Sequence, residues 1–439
     1  GGICGDAINI IIDTCSNRNI LYGYYYVGGI CGRLYPGKIL HCSNVATITN
    51  NSNSYTGGIV GYSYGNSSQY CYVQYCVNSG VVTSTSGYVG GITGYNYYGY
   101  VDYCSNSADV NITSTSSYCG GICGYASTNG YIRYCLNGGL ITSAGNYVGG
   151  ITGYSYGSSY VTYCLNVNNV YGGSGYTNVA AIAGTGAVGT TCYWDRQMCP
   201  TTNWYGTTTG AYSYLTNQLK GTATYPSATY FDAAPNMYPM PKGISDSIQA
   251  KLAATPVNID PAENVNTVQT NFTVYTGNNV VWTSSLPTVV SINNTNATVN
   301  NTGTTQFSGT VDGLVKHVNI QSITFPHFCG GSGTQADPYL ICQPSTLDSL
   351  RMFVNSGVSC AGLYFRVVRN LDMSAYSSNW NATVSGTMGP IGASTATPFS
   401  GHFDGAGFTI SNITINSTAN YKGLFGYVTG SSADTAEVH

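Results

Sequence analysis

Gly28-Gly29-Ile30-Cys31-Gly32 is one copy of a phrase, Gly-Gly-Ile-x-Gly, that returns from Gly57, Gly90, Gly120 and Gly149 and in altered form as Ala180-Ala181-Ile182-Ala183-Gly184. The chain opens on a further copy, Gly1-Gly2-Ile3-Cys4-Gly5. Measured between second glycines, the steps are 27, 29, 33, 30, 29 and 31 residues, a near-constant period that marks a repeat architecture. Residues 121–150 show what one period contains: Gly-Ile-Cys-Gly-Tyr125, a turn, Tyr131-Ile-Arg-Tyr-Cys-Leu136, an Asn-Gly-Gly turn, then Leu140-Ile-Thr-Ser. Branched and aromatic residues between turn residues read as three short strands. The expected fold class is therefore all-β, a parallel β-helix whose coils stack at about 4.8 Å. Ile30, Ile59, Ile92, Ile122 and Ile151 then form one inward ladder, with the glycines at tight corners or close approaches.

The sixteen cysteines follow the same period. Cys15, Cys42, Cys76, Cys104, Cys135, Cys164 and Cys192 occupy one equivalent position, six of them with Asn two residues on, and so should stack as a ladder. Small buried thiols filling an inward corner are the simplest reading, with disulfides between coils as the sharper one. Metal binding lacks a CxxC pair or a His cluster. Cys71, Cys119 and Cys199 break the ladder pattern and are the better disulfide candidates. A second repeated feature is a Tyr-rich corner made by Tyr62, Tyr64, Tyr95, Tyr97, Tyr98, Tyr125, Tyr154 and Tyr156, readable as a stacking ladder or as a strip that binds sugars.

Charged residues make up only 7% of the 439, and the net charge is −3. That leaves no electrostatic footing for nucleic acid or an anionic membrane. No apolar run approaches the roughly 18 residues of a membrane span. Ten Asn-x-Ser/Thr sequons, among them Asn66, Asn111, Asn296 and Asn416, permit glycosylation and fit an extracellular or cell-surface location.

The Gly-Gly-Ile-x-Gly-Tyr coils with Tyr-Cys-x-Asn between them resemble the GLUG-type repeats of large bacterial surface and secreted proteins, and Gly423-Leu424-Phe425-Gly426-Tyr427 matches the motif that names them. The resemblance implies a β-helix over 1–191. Residues 192–254, with Cys192-Tyr-Trp-Asp195 and a helix expected over Ile244–Ala254, resemble the segment that closes such a domain. Residues 255–325 alternate short β runs with Asn/Gly/Pro turns at the spacing of a small sandwich. Val281-Trp282 and the residues after it resemble bacterial immunoglobulin-like spacer domains, with Trp282 in the core. Residues 326–439 resemble the capped start of a second β-helix, with Ser345 and Asp348 giving the capping-box pattern of a helix that runs to Gly357.

Catalysis on a β-helix needs clustered carboxylates or bases. Only eight charged residues lie between 1 and 180, Asp6, Asp13, Arg18, Arg33, Lys38, Asp102, Asp109 and Arg133, and Asp102 with Arg133 is expected as a surface pair. His41, His317, His327, His402 and His439 are scattered, and Asp404 is expected to serve a turn. No enzyme activity, cofactor or metal is expected. The expected function is that of an extracellular structural protein, a filament or surface-scaffold subunit, with an adhesin that binds glycans through the Tyr-rich face as the alternative. The expected partners are other copies of the chain, head to tail: the coil of Gly423–Tyr427 in one copy stacks on that of Gly1, Gly2, Ile3, Cys4 and Gly5 in the next, because open solenoid edges template further strands.

Overall fold

The computed structural model describes residues 1–115, 117–175, 177–186, 188–189, 191–200, 211–261, 263–322, 328–380, 389–416, 420–430 and 435–439. The chain divides into two compact units, Gly1–Ser322 and Ile323–His439. Strand accounts for 44% and helix for 8%, and the parallel stacked sheets form a β-solenoid of about 12 turns. The fold is all-β.

In the first unit the described solenoid strands pair in parallel, with register shifts between Ser84 and Ser86 and between Tyr97 and Gly99. Cys4 pairs with Cys31, which pairs with Val60, then Thr93, Cys123, Thr152 and Ala183. Ile30, Ile59, Ile92, Ile122, Ile151 and Ile182 lie at the corner just before these strands and are fully buried, so the inward ladder is present. At that corner one coil donates and the next accepts: the N–H groups of Ile30 and Cys31 both bond Ile59 O at 3.0 Å, and those of Ile59 and Val60 both bond Ile92 O at 2.9 Å. The cysteine ladder is also present, buried from Cys42 through Cys192 and half-exposed at Cys15. Its thiols are unpaired by disulfides, and burial holds those of Cys135, Cys164 and Cys192 well above their ordinary pKa.

The asparagine two residues after each ladder cysteine forms a third ladder inside the coil. Asn17, Asn44, Asn78, Asn106, Asn137 and Asn166 are buried, and the Nδ2 of each donates to the Oδ1 of the next at 2.8, 2.8, 2.9, 2.9 and 2.9 Å. The second Nδ2 hydrogen closes a local turn, as in Asn106 to Ala108 O at 2.8 Å. Glycine makes room for these amides: a Cβ on Gly91 would lie 2.2 Å from Gly121 O and 2.5 Å from Asn106 Cγ.

Residues 192–254 continue the solenoid with Cys192–Asp195 and Ala211–Tyr214, which end the eight-stranded sheet. The helix there runs only over Ile248–Ala253, shorter than the expected Ile244–Ala254, because Ser247 is its cap and accepts from Ala250 N–H at 3.4 Å. Two antiparallel sheets, of four and three strands, then enclose a core containing Trp282, Phe272 and Phe307. They are tied to the solenoid by specific bonds. Lys316, fully buried, donates to Ala253 O and Thr255 O at 2.9 Å each, and Asn168 Nδ2 donates to His317 O at 2.8 Å. Burial lowers the Lys316 pKa to about 7.

The second unit stacks Tyr339–Ile341, Tyr364–Val367, His402–Asp404 and Glu437–Val438 in parallel, with the helix Pro344–Asn355 against their core. The capping box expected at Ser345 is not formed. Gln343 is the N-cap, Pro344 takes the first turn, and the Asp348 carboxylate instead accepts from Arg351 Nε at 2.8 Å and Asn379 Nδ2 at 3.0 Å. Proline's fixed φ suits the first turn and moves the cap from Ser345 back to Gln343. The disulfide expectation is likewise corrected. Cys71, Cys119 and Cys199 are buried thiols, and the bridge is Cys329–Cys342, with a Cα separation of 5.9 Å.

Asn106 bonds a neighbour on each side, so Asn106→Ala strands an amide hydrogen of Asn78 and leaves the Oδ1 of Asn137 to the Gly139 N–H. We expect a loss of about 3 kcal/mol in chemical denaturation, and a larger one for Asn106→Asp, which buries a charge. A loss under about 0.5 kcal/mol for both would contradict a structural role.

Candidate functional surfaces

Outward-facing tyrosines in equivalent positions stack along the first solenoid. Tyr26, Tyr55, Tyr88, Tyr118 and Tyr147 form one column, with ring centroids 5.4, 5.1, 5.0 and 4.8 Å apart and planes within 13°. Tyr62, Tyr95 and Tyr125 form a second at 5.2 and 5.4 Å, continued by a tilted Tyr154 at 5.1 Å. The columns meet edge to face, as in Tyr88–Tyr125 at 5.3 Å and 82°. Tyr64 and Tyr97 stack beside them at 4.6 Å, Tyr98 stands against Tyr97, and the exposed Tyr156 lies beside Tyr154. The corner read from the sequence is therefore brought together. The column of Tyr55 was missed, although Tyr-Val-Gly-Gly at Tyr26, Tyr88 and Tyr147 carried its signal.

Each internal ring of the Tyr55 column has a stacked neighbour on both sides, so its ring faces are covered. That packing strips water from the phenols. Burial pushes Tyr95 up to about 12 and raises Tyr62 and Tyr125 further. A further column, Tyr75, Tyr103, Tyr134 and Tyr163, sits immediately before the ladder cysteines in the left-handed region, with φ of 57, 52, 58 and 50°. That conformation costs an L-residue about 1–2 kcal/mol. Stacking at 5.1, 4.7 and 5.8 Å offsets part of it.

The second surface is the coil of Gly1–Val27. Among the described residues no strand pairs with its outer side, and Ile8, Ile11, Ile20 and Tyr22 are 61, 59, 60 and 76% exposed. Gly1, Gly2, Ile3, Cys4 and Gly5 form its leading corner, where Ile3 is exposed and Cys4 half-buried. A groove of about 470 Å³ runs between Gly1, Gly5, Asp6, Tyr22, Tyr25 and Arg33. Gly423, Leu424, Phe425, Gly426 and Tyr427 belong to the second unit, where Phe425 bridges Ile391 and Val428 bridges Phe399.

The charged residues meet in local pairs, and in the second unit His402 and His439 both face Glu437, at 3.5 and 3.2 Å, beside the pair of Arg366 with Asp404. Asp102 is buried rather than at the surface: Arg133 donates to both its oxygens at 2.9 and 2.7 Å, and Gln74 Nε2 to one at 3.0 Å. Arg133 also lies 4.5 Å over Tyr100. The Asp404 carboxylate accepts from Ala406 N–H at 2.7 Å, a turn role as expected. His41 stacks on Tyr75, His317 bonds Asp109 at 2.7 Å, His402 stacks on Tyr364 and His439 pairs with Glu437; His327 lies outside the described residues. Among the described residues no three His, Cys, Asp or Glu side chains gather as metal ligands. Of the sequons, Asn66, Asn296 and Asn416 are exposed, and Asn111 is half-buried in the strand Val110–Ile112.

No family model matches the chain, and no solved structure matches it. A stretch of 106 residues is 36% identical to a protein of Evansella cellulosilytica named "Putative Gly-rich membrane protein". The match spans 23% of this chain and 11% of that relative's length. Among the described residues no helix is long and apolar enough to cross a membrane.

Phenolate absorbance should reveal a class of tyrosines that ionises only near pH 12 in the folded chain, as for Tyr95. A phenol pKa raised on folding adds stability below the unfolded value near 10, and that stability is lost as pH climbs toward 12. Titration of every tyrosine near pH 10 would show that the columns do not stack.

Proposed function

We propose that this chain is a structural module of an extracellular or cell-surface bacterial protein, a scaffold or filament subunit without enzymatic activity. The observation that carries this reading is the repetition of the coil itself, in which rows of Ile, Cys, Asn and Tyr meet their own kind from coil to coil in a chain with few charges. What pairs with such a coil, that of Gly1–Gly5 included, is another coil of the same pattern. We assign that role to the coil of Gly423–Tyr427 in a second copy. The low charge, the resemblance to GLUG-type repeats and to bacterial immunoglobulin-like spacers, and the partial likeness to a protein named as a Gly-rich membrane protein support a surface setting. The tyrosine columns favour scaffold over adhesin: sugars stack on aromatic faces, and these faces are covered by neighbouring rings.

Sedimentation and negative-stain electron microscopy of the 439-residue chain test the reading. Assembly that grows with concentration into unbranched fibres is expected, and Ile11→Lys with Ile20→Lys should block it while leaving the folded spectrum intact. A strict monomer at high concentration would overturn it, as would native material in which further solenoid coils precede Gly1.

A further inference from the structure

A phenol gives up one electron readily, and identical rings at stacking distance pass the resulting vacancy between them at almost no cost in free energy. The second tyrosine column offers such contacts in sequence, Tyr62 to Tyr95 to Tyr125 to Tyr154, at 5.2, 5.4 and 5.1 Å. The first column joins it: Tyr118 lies 5.2 Å from Tyr125 and 5.8 Å from Tyr154. Neither continues into the following coil, where Thr185 pairs with Tyr154 and Asn178 precedes the partner of Val148. At that end Tyr154 also touches Tyr156, which stands outside both columns, 5.9 Å away and 53% exposed.

We propose that the tyrosine columns are a relay for one-electron oxidation, with Tyr156 as an outlet where the charge becomes a radical open to covalent modification. A one-electron oxidant, of the class a peroxidase forms from peroxide, takes an electron from a column ring and is itself reduced by one. Electrons hop toward the vacancy from Tyr154 and then Tyr156, so the vacancy moves outward. At Tyr156 the phenol O–H bond breaks, its proton passes to water, and a neutral phenoxyl radical remains. Proton loss decides where the charge settles. Burial within the columns holds the protons in place, pushing Tyr95 up to about 12 and raising Tyr62 and Tyr125, whereas Tyr156 meets solvent. The relay works within one chain and does not depend on how copies assemble.

The test injects charge at one place. Ser67, exposed between Tyr64 and Tyr70, is changed by Ser67→Cys and labelled with a ruthenium photosensitiser, with Cys4→Ser and Cys15→Ser removing the half-buried thiols. A cobalt(III) ammine takes one electron from the excited label, and the ruthenium(III) so formed takes one from a nearby tyrosine. A nitroso spin trap then bonds to the radical at the residue that holds it, and peptide mass spectrometry locates the adduct. The parent should carry adduct on Tyr156. Tyr154→Phe should lose it, as should Tyr118→Phe with Tyr125→Phe, because phenylalanine keeps the stack but yields no electron to ruthenium(III). Tyr160, reached by a separate line of rings through Tyr70, Tyr100 and Tyr131, should keep its adduct in both variants, as only a folded chain can. Direct attack by the label would leave Tyr156 undiminished in the variants. That result, or a parent without adduct on Tyr156, would overturn the relay.

Discussion

A missing Cβ is the constraint on which the first solenoid rests. At Gly91 and its equivalents the space a methyl group would occupy is taken by the carboxamide of an asparagine in the same coil and by the backbone of the next. Leaving such an amide unpaired in the interior costs about 2–7 kcal/mol, so each must find the next within hydrogen-bond reach. Five bonds of 2.8–2.9 Å do so. They fix the register of successive coils at one point. Unequal steps, such as the 33 residues between Gly58 and Gly91, are then absorbed elsewhere: Tyr64 pairs with Tyr97 and Cys71 with Gly99, so seven positions along one coil face two along the next.

With register fixed, identical residues meet themselves. On the inside this gives fully buried Ile and Cys rows; on the outside it gives tyrosine columns, whose rings cover one another's faces. The same repetition lets a strained backbone persist. Four tyrosines in the left-handed region each stack on the next, so the coil corner and the aromatic column stabilise each other. A chain with so few charges lines its outer side with these rings. Its best-satisfied ion pair, Asp102 with Arg133, serves to join coils.

How much of this was legible in the sequence depended on whether a residue's role follows from its period. The Ile and Cys rows and the parallel coil did follow, since equal spacing puts equal residues in one column. The Asn ladder lay in plain view two residues after each cysteine, yet composition assigns asparagine to turns; only the buried amide-to-amide bonds reveal its second role. Left-handed tyrosines were not readable, because nothing in a Tyr-Cys pair signals positive φ. Single features were the least secure: Ser345 lost the cap to Gln343 because Pro344 claims the first turn, and Asp102 sank inward because Arg133 and Gln74 satisfy it. The bridge between Cys329 and Cys342 has no repeat to announce it.

Side-chain amide hydrogen exchange, read by NMR on asparagine-labelled chain, addresses the ladder beneath all of this most directly. The account predicts that Nδ2 hydrogens of Asn44, Asn78, Asn106 and Asn137 exchange orders of magnitude more slowly than those of the exposed Asn66. Exchange at the rate of Asn66 would mean that the amides face water and that the ladder does not hold the coils.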